Sequence, residues 1–463
     1  MTRKQQLLKR HRRNKRTALM VGVLLLVVLG ILVAWWLPLL LALLAWVAHE
    51  AWFADHLFYA PNEDYQYRFS ADAELAGVRL DGDRLLLDQP MALEAGATLV
   101  LAIKVKSTWL GRLLDPGVEL AGDRQTFERG VNGVRYLNLS GLAPMLAAGE
   151  LRLRGRHCRL LGSPRLWAWS HPDYRAQRVM VIAPHADDAE LAAFGLYSQA
   201  EKPWIVTLTA GEIEAEHYER MGLDAVEASR IKGRLRAWDS IAVPLWAGVP
   251  QAHCVQLGYF CLQLQAMQAA PDLPFASREA ELTDVRPFRQ FNPFPLPSDS
   301  DGLPTWNNLL ADLRHVLSMA RPEVIVLPHP VLDPHPDHLC AQQAVLQALQ
   351  GLEWQPTTVL GYANHLHDND RWPMGDAGAG IALPPLFDAT EELIPCCLPL
   401  TLVQQRDKAM ALGMMHDLQP AAPFKRRVRR WLQRMLAGRA RSPYGENEFF
   451  RKAVRRHELF WRL

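Results

Sequence analysis

Cysteine is sparse and shows no pairing pattern. Six residues (158, 254, 261, 340, 396 and 397) are scattered over 463, and none has zinc-finger spacing. Oxidising compartments select paired frameworks, so this usage argues against a disulfide-stapled exported domain. No Gly-rich phosphate loop, no secure Ser-His-Asp arrangement and no internal repeat stands out, which argues against nucleotide-cradling, serine-hydrolase and solenoid readings. Acid is missing from residues 1–16, which carry eight Lys/Arg. Charge of either sign is missing from Thr17 to Ala48. A membrane span needs ~20 apolar residues, so Thr17–Trp36 suffices once. The run outlasts a signal-peptide core and ends without a small-residue cleavage site, which points to a retained anchor.

Charge is distributed unevenly behind a net +2. Residues 425–463 hold thirteen Lys/Arg and three Glu; with the tail set aside as well, the middle holds 30 basic and 46 acidic side chains, near −16. A nucleic-acid enzyme would carry its basic residues along a binding face. No nucleic-acid partner is expected; basic ends fit anionic membrane lipid. The basic tail holds the amino terminus in the cytosol by the positive-inside rule. Pro38, after Trp35-Trp36, suits the first turn of a second helix, so Leu39–Phe53 is either a return span or an interfacial helix. A return span puts the body in the cytosol and a single span puts it in the periplasm. Asp55, Glu63 and Asp64 precede any Arg and favour the outside; the unpaired cysteines favour the cytosol, the side adopted here. The setting expected is a bacterial inner (cytoplasmic) membrane.

Beyond the anchor, Val78–Leu80, Arg84–Leu87, Thr98–Val105 and Glu150–Arg154 read as short strands, with Asp81-Gly82-Asp83 as hairpin chemistry between the first two. They predict a small β-sandwich-like domain over residues 60–172, read as a spacer. Pro271–Pro304, rich in Pro, Phe and Asp, cannot run as a regular helix or central strand, and is either a loop beside the site or a disordered insertion. Trp306–Met319 reads as an amphipathic helix. Lys425–Leu463 mixes basic residues with Trp431, Leu432, Met435, Phe449, Phe450, Phe460 and Trp461, as a membrane-surface helix does.

The chemistry lies in two clusters. Pro184-His185-Ala186-Asp187-Asp188 follows the apolar run Val179–Ala183, and His335-Pro336-Asp337-His338 follows Val324–Leu327. Such runs read as interior strands of an α/β sheet, whose carboxyl ends face the ligand crevice. Catalytic zinc takes His nitrogen and carboxylate oxygen and keeps one position open. Of Asp187 and Asp188, adjacent and divergent, one can bind metal while the other faces water; His335 and His338 can divide ligand and proton-donor roles. Asp188 or Asp337 as a mere helix cap is the competing reading. His329 reads as a loop residue.

These residues resemble the PIG-L/LmbE-like zinc de-N-acetylases, membrane-anchored bacterial type. The family's (P/A)HPDD(E) motif reads Pro184-His185-Ala186-Asp187-Asp188-Ala189-Glu190 here, with Ala186 for the usual Pro, and its HPDH motif is intact. Thr207-Leu208-Thr209-Ala210-Gly211-Glu212 is similar to its TxGE segment, and Glu227-Ala228-Ser229-Arg230 to the start of its Arg-bearing helix. The resemblance implies a Rossmann-like α/β domain with a mainly parallel sheet over residues 176–424, after a basic tail (1–16) and a membrane segment (17–53, one span or a hairpin), and before a basic amphipathic region (425–463). It implies His185, Asp188 and His338 as ligands of zinc, with Fe2+ the alternative. Asp187 would be the base, His335 would stabilise the intermediate or protonate the leaving amine, Asp337 would orient its neighbouring histidine, and Arg230 would touch substrate. Two departures stand out: Gly233 replaces the acid of RxxE, and Leu257-Gly258-Tyr259-Phe260-Cys261 lacks the acid that touches sugar hydroxyls. The expectation is a membrane-anchored deacetylase of an N-acetylated amino sugar in an envelope glycolipid or lipopolysaccharide precursor. The alternatives are a zinc amidase on a non-sugar acyl amide and a non-catalytic membrane-surface binding module.

Overall fold

The structure, a computed structural model, describes every residue except 1–2, 55–59, 90–92, 95, 367–370 and 420–422, so Asp55 lies outside the described residues. Helix α1 (Arg3–Leu32) contains the one helix stretch long and apolar enough to cross a membrane among them, Leu8–Leu32. Helix α2 (Leu37–Ala48) starts with Pro38 in its first turn and continues through a π-helical segment, His49–Phe53; it is apolar but shorter. The two run side by side in opposite directions, bringing Lys15 Nζ within 3.4 Å of His49 Nε2. Most of the apolar side chains on both helices are exposed, so nothing in the body covers them.

Three antiparallel sheets follow. The largest orders Glu74–Leu75, β3 (Cys158–Trp169), β1 (Thr98–Ser107) and β2 (Asn132–Asn138). Strand β1 is buried on both faces. Leu99, Leu101, Ile103 and Val105 face one way, into a core shared with the hairpin Val78–Asp81/Arg84–Leu87 and the three-stranded sheet around Gly117–Leu120. Val100 and Ala102 face the other way, onto Leu459 and Trp461 of the next sheet. Alternation of side chains along a strand is what lets it serve two cores. This region is therefore packed on the rest of the body, and Thr98 Oγ1 accepts from Cys397 N at 2.8 Å.

The main sheet has seven strands: β4 (Arg178–Ala183), β5 (Lys202–Thr209), β6 (Cys254–Tyr259), β7 (Val324–Pro328), β8 (Thr358–Tyr362), β9 (Ile394–Pro399) and β10 (His457–Arg462). Their order is β6-β5-β4-β7-β8-β10-β9. The first five are parallel; β10 and β9 add antiparallel pairs, so the sheet is mixed where a mainly parallel one was expected. Phe460 and Trp461, read from sequence with the basic tail, are buried in β10. Basic neighbours on both sides hid this strand. Main helices α3 (Asp188–Tyr197), α4 (Ala225–Ala242), α5 (Trp306–Ala320), α6 (Pro336–Leu349) and α7 (Leu402–Met414) accompany the sheet, and α8 (Phe424–Ala437) lies against His49–Phe53. Val179–Ala183 and Val324–Leu327 have no exposed surface, and each large apolar side chain so buried contributes ~1.5–3 kcal/mol. Strand order reverses between β4 and β7, the switch point at which open α/β sheets form a crevice.

The Pro271–Pro304 stretch is irregular but packed. Ala280, Val285, Phe288 and Leu296 are buried, and the buried Arg289 bonds Asp312 (2.8 Å), Leu257 O (2.7 Å) and Asp299 (2.8 Å). The charged fork of Arg289 supplies the partners that regular backbone pairing would otherwise give.

Candidate metal centre

Both clusters meet at the switch point. After β4, Pro184 O accepts from Thr209 N (3.0 Å) and Thr209 Oγ1 (2.8 Å), which fixes the turn that presents His185. Asp188 opens α3, and its Oδ2 accepts from His185 N at 2.9 Å. After β7, His335 occupies the position just before α6, with Pro336 in the first turn, where a missing N–H costs nothing. This carries His338 into the crevice opposite His185.

Three donor atoms converge. Asp188 Oδ2 lies 3.1 Å from His185 Nδ1 and 3.2 Å from His338 Nε2, and those nitrogens are 3.4 Å apart. A tetrahedral ion with ligands at ~2.0–2.1 Å requires donor separations of about 3.3 Å. Two imidazoles and a carboxylate at this spacing fit a divalent transition metal. His335 is the third imidazole of the group, its ring 5.0 Å from that of His185 and 4.9 Å from that of His338. Its Nδ1 is buried with no hydrogen-bond partner among the described residues, as is Asp337 Oδ1, so two polar atoms of the group keep capacity to spare.

The remaining predicted residues fall around this triangle. Asp187 is half-buried, and its Oδ1 accepts from Arg236 Nη2 at 3.0 Å; among the described residues no group bonds its Oδ2. Asp337 sits on His185 rather than on a histidine of its own motif: its Oδ2 is 3.2 Å from His185 Nε2 and accepts from Leu262 N at 2.8 Å. Arg230 does not join the cluster, and its Nε donates to Ala280 O at 2.8 Å. His329 closes a turn, its Nδ1 accepting from Val331 N and Leu332 N.

Several neighbours were not foreseen. Asp333, fully buried, holds His338 Nδ1 at 2.9 Å and also accepts from the amides of His335, Asn364 and His365. Such outer carboxylates fix the tautomer and tilt of a ligating imidazole. Asn364, after β8, donates to Asp188 Oδ1 at 2.8 Å, and His365 stacks on His335. Arg236 is buried between Asp187 and Asp417. Gly211 has φ +61, and a Cβ there would lie 2.4 Å from Arg236 Nε, so only glycine lets the guanidinium through. Cys261 Sγ lies 3.5 Å from His185 Nε2 and 3.3 Å from Asp337 Oδ2, which puts a thiol beside the centre as a further donor. The run Asp333-Pro334-His335 was the readable signal for Asp333; Asn364, His365 and Arg236 carry none.

The electrostatics favour positive charge at the triangle. Burial works against a charged His338, but Asp188 and Asp333 outweigh it and push its pKa up to about 9. Burial likewise opposes charge on Asp188, yet His338 and His185 hold its carboxyl well below the usual range. His335 moves the other way, down to about 4, through burial and the neighbouring imidazoles. A divalent cation would meet the same demand while displacing imidazole protons.

Residues 180–349 match the family model described as PIG-L, GlcNAc-PI de-N-acetylase. No curated protein matches the chain. Among solved structures, the zinc-inhibited form of teicoplanin deacetylase Orf2 is similar at 16% identity, covering 62% of this chain and 97% of that one, with a TM-score of 0.34. The 4-carboxy-2-hydroxymuconate hydratase GalB from Pseudomonas putida KT2440 is similar at 15%, covering 56% and 83%, with a TM-score of 0.32.

Proposed function

We propose, from the PIG-L family domain that this chain carries at residues 180–349, that the protein is a membrane-anchored, metal-dependent deacetylase of an N-acetylated amino sugar. The single observation that carries this reading is the triangle of Asp188, His185 and His338 with the Asp187 carboxylate beside it. His185, Asp188 and His338 would hold the metal, zinc or iron(II), which when bound supplies Lewis acidity and a more acidic water.

The chain's own groups supply the rest. Arg236 holds Asp187 by one oxygen, and the other takes a proton from water. The water oxygen then bonds to the acetamide carbonyl carbon. His335, with its unpartnered Nδ1, faces the same hollow and hydrogen-bonds the developing oxyanion or the nitrogen. The C–N bond breaks as the proton is passed to the leaving nitrogen, giving acetate and a free amine. Asp333 and Asp337 keep His338 and His185 in place.

The apolar helix Leu8–Leu32 supports membrane attachment, and a glycolipid substrate is the extension of that reading. The antiparallel run of α1 and α2 supports a hairpin anchor with the body on the cytosolic side, where the basic tail would lie. One observation favours a second reading. Cys261, at the end of the segment where a sugar-binding acid was expected, presents a thiol beside His185, which suits an amidase for a non-sugar acyl amide.

The test pairs metal content with acetate release from membrane glycolipid extract, for full-length wild type and Asp187→Ala in detergent. Bound metal should survive the substitution while acetate release falls ~10²–10⁴-fold. If neither protein binds metal or releases acetate, the clusters are turn and cap chemistry. Equal release from a non-sugar acyl amide would select the second reading.

A further inference from the structure

A cavity of about 720 Å³ opens between α8, the 371–376 segment and the 439–452 segment, outside the stretch matched by the family model. Ten arginines and lysines line it against four acids, so its wall is strongly cationic. Part of that charge is spoken for. Arg439 pairs with Asp115 (2.9 Å), Arg441 with Glu446 (2.9 Å) and Arg451 with Glu448 (2.7 Å). Arg426, Arg427 and Arg434 have no carboxylate partner among the described residues, and Arg430 donates to the carbonyl of Glu446. The wall is rigidly built. The buried Arg451 bonds Arg371 O (2.9 Å) and Gly375 O (3.0 Å), and the buried Arg455 bonds Met374 O (2.7 Å) and Asp376 O (2.8 Å).

The cavity's place in the fold identifies its ligand. Ala54, the residue after the second apolar arm, is part of its wall, and Arg429 Nε reaches Glu50 on that arm at 2.5 Å. The helix that carries these arginines also exposes Phe424, Trp431 and Met435, spaced by seven and four residues along one stripe. A helix with arginines beside an exposed aromatic stripe lies at a lipid interface. Guanidinium forks match phosphate oxygens two at a time. Lys452 lines this cavity and also a smaller one, about 60 Å³, bordered by Asn364, whose amide bonds Asp188.

We propose that the cavity beside α8 is a binding site for the phosphate group of an anionic membrane lipid, held by Arg426, Arg430 and Arg434 at the level where the hairpin leaves the bilayer. The site seats the body on the membrane with its metal centre in register to one headgroup, and it stands whether or not the deacetylase reading does.

The experiment uses the full chain in dodecyl maltoside micelles, with short-chain phosphatidylglycerol, phosphatidylcholine and inorganic phosphate as probes and native mass spectrometry as readout. Phosphatidylglycerol should bind and phosphatidylcholine should not. The triple variant R426Q/R430Q/R434Q should bind phosphatidylglycerol roughly 100-fold more weakly, each charge near an anionic surface contributing about fivefold. R426Q alone, at an exposed position, should lose about fivefold and guards against misfolding of the triple variant. Displacement of the lipid by equimolar inorganic phosphate would make free phosphate the ligand of the same site; persistence of the lipid makes it the headgroup. Equal binding of both lipids, or unchanged phosphatidylglycerol binding in R426Q and the triple variant alike, overturns the proposal.

Discussion

Where β4 and β7 end, charges meet their opposites inside the body. Asp188 lies between two imidazoles, Asp333 holds a third contact, and Arg236 sits between Asp187 and Asp417. Beside α8 the arrangement is the reverse: ten cations face four acids around open volume, and three arginines meet no carboxylate among the described residues. Burial explains the difference. A charge removed from water needs a partner in the protein, whereas one lining an open cavity keeps water or waits for a ligand. The first hollow is held by its own buried pairs; the second, under the proposal above, takes an anion from outside.

The sharpest way to break this contrast is to remove one arginine from each hollow. Arg236→Met strips the shared partner of Asp187 and Asp417, and breaking a buried pair costs about 3–5 kcal/mol. Arg434→Met, exposed and without a carboxylate partner among the described residues, should stay within about 0.5 kcal/mol of wild type. Chemical denaturation of both variants reads this directly; equal losses would mean that the cavity arginines are structural. A finer comparison uses outer carboxylates. Asp333→Ala should lower zinc affinity ~10–100-fold in a calorimetric titration, because His338 loses its tether. Asp376→Ala, on the cavity wall, should leave zinc affinity unchanged; a matching drop there would mean that the two hollows are not independent.

Legibility divides along the same line. The candidate triangle was readable because His185 and Asp188 lie within five residues of the apolar run Val179–Ala183, and His338, eleven residues after the run Val324–Leu327, stands in a His-Pro-Asp-His string. Asp333 escapes because it stands outside both motifs, two residues before His335, and Arg236 because its role depends on the space left by Gly211, which no spacing reports. Arg230, six residues earlier on the same helix, drew attention by local likeness alone. The parallel core of the sheet followed from its apolar runs, while β10 was masked by the arginines and lysines around it. The basic tail was read as a lipid-facing helix; its cavity depends on how residues 371–376 fold back onto 439–452, a long-range contact invisible in sequence.

Asp115 joins the two charge plans and allows the smallest test. It is half-buried on the cavity wall, with Arg439 at 2.9 Å and Arg129 at 3.3 Å. Burial opposes its charge, but Arg439, Arg371 and Arg129 outweigh it and hold the carboxyl below the usual range. A carboxyl depressed in the folded state stabilises fully above its unfolded pKa of about 3.9 and loses that contribution as pH falls through the folded value. Asp115→Asn should therefore be less stable than wild type at neutral pH, and the gap should narrow once pH drops below about 3.9. The same change removes one negative charge from the wall, so phosphatidylglycerol binding should tighten by about fivefold even as stability falls. Opposite movement of the two quantities separates a ligand site from a structural charge network: if binding weakens along with stability, the arginines serve the fold and the cavity does not hold a headgroup.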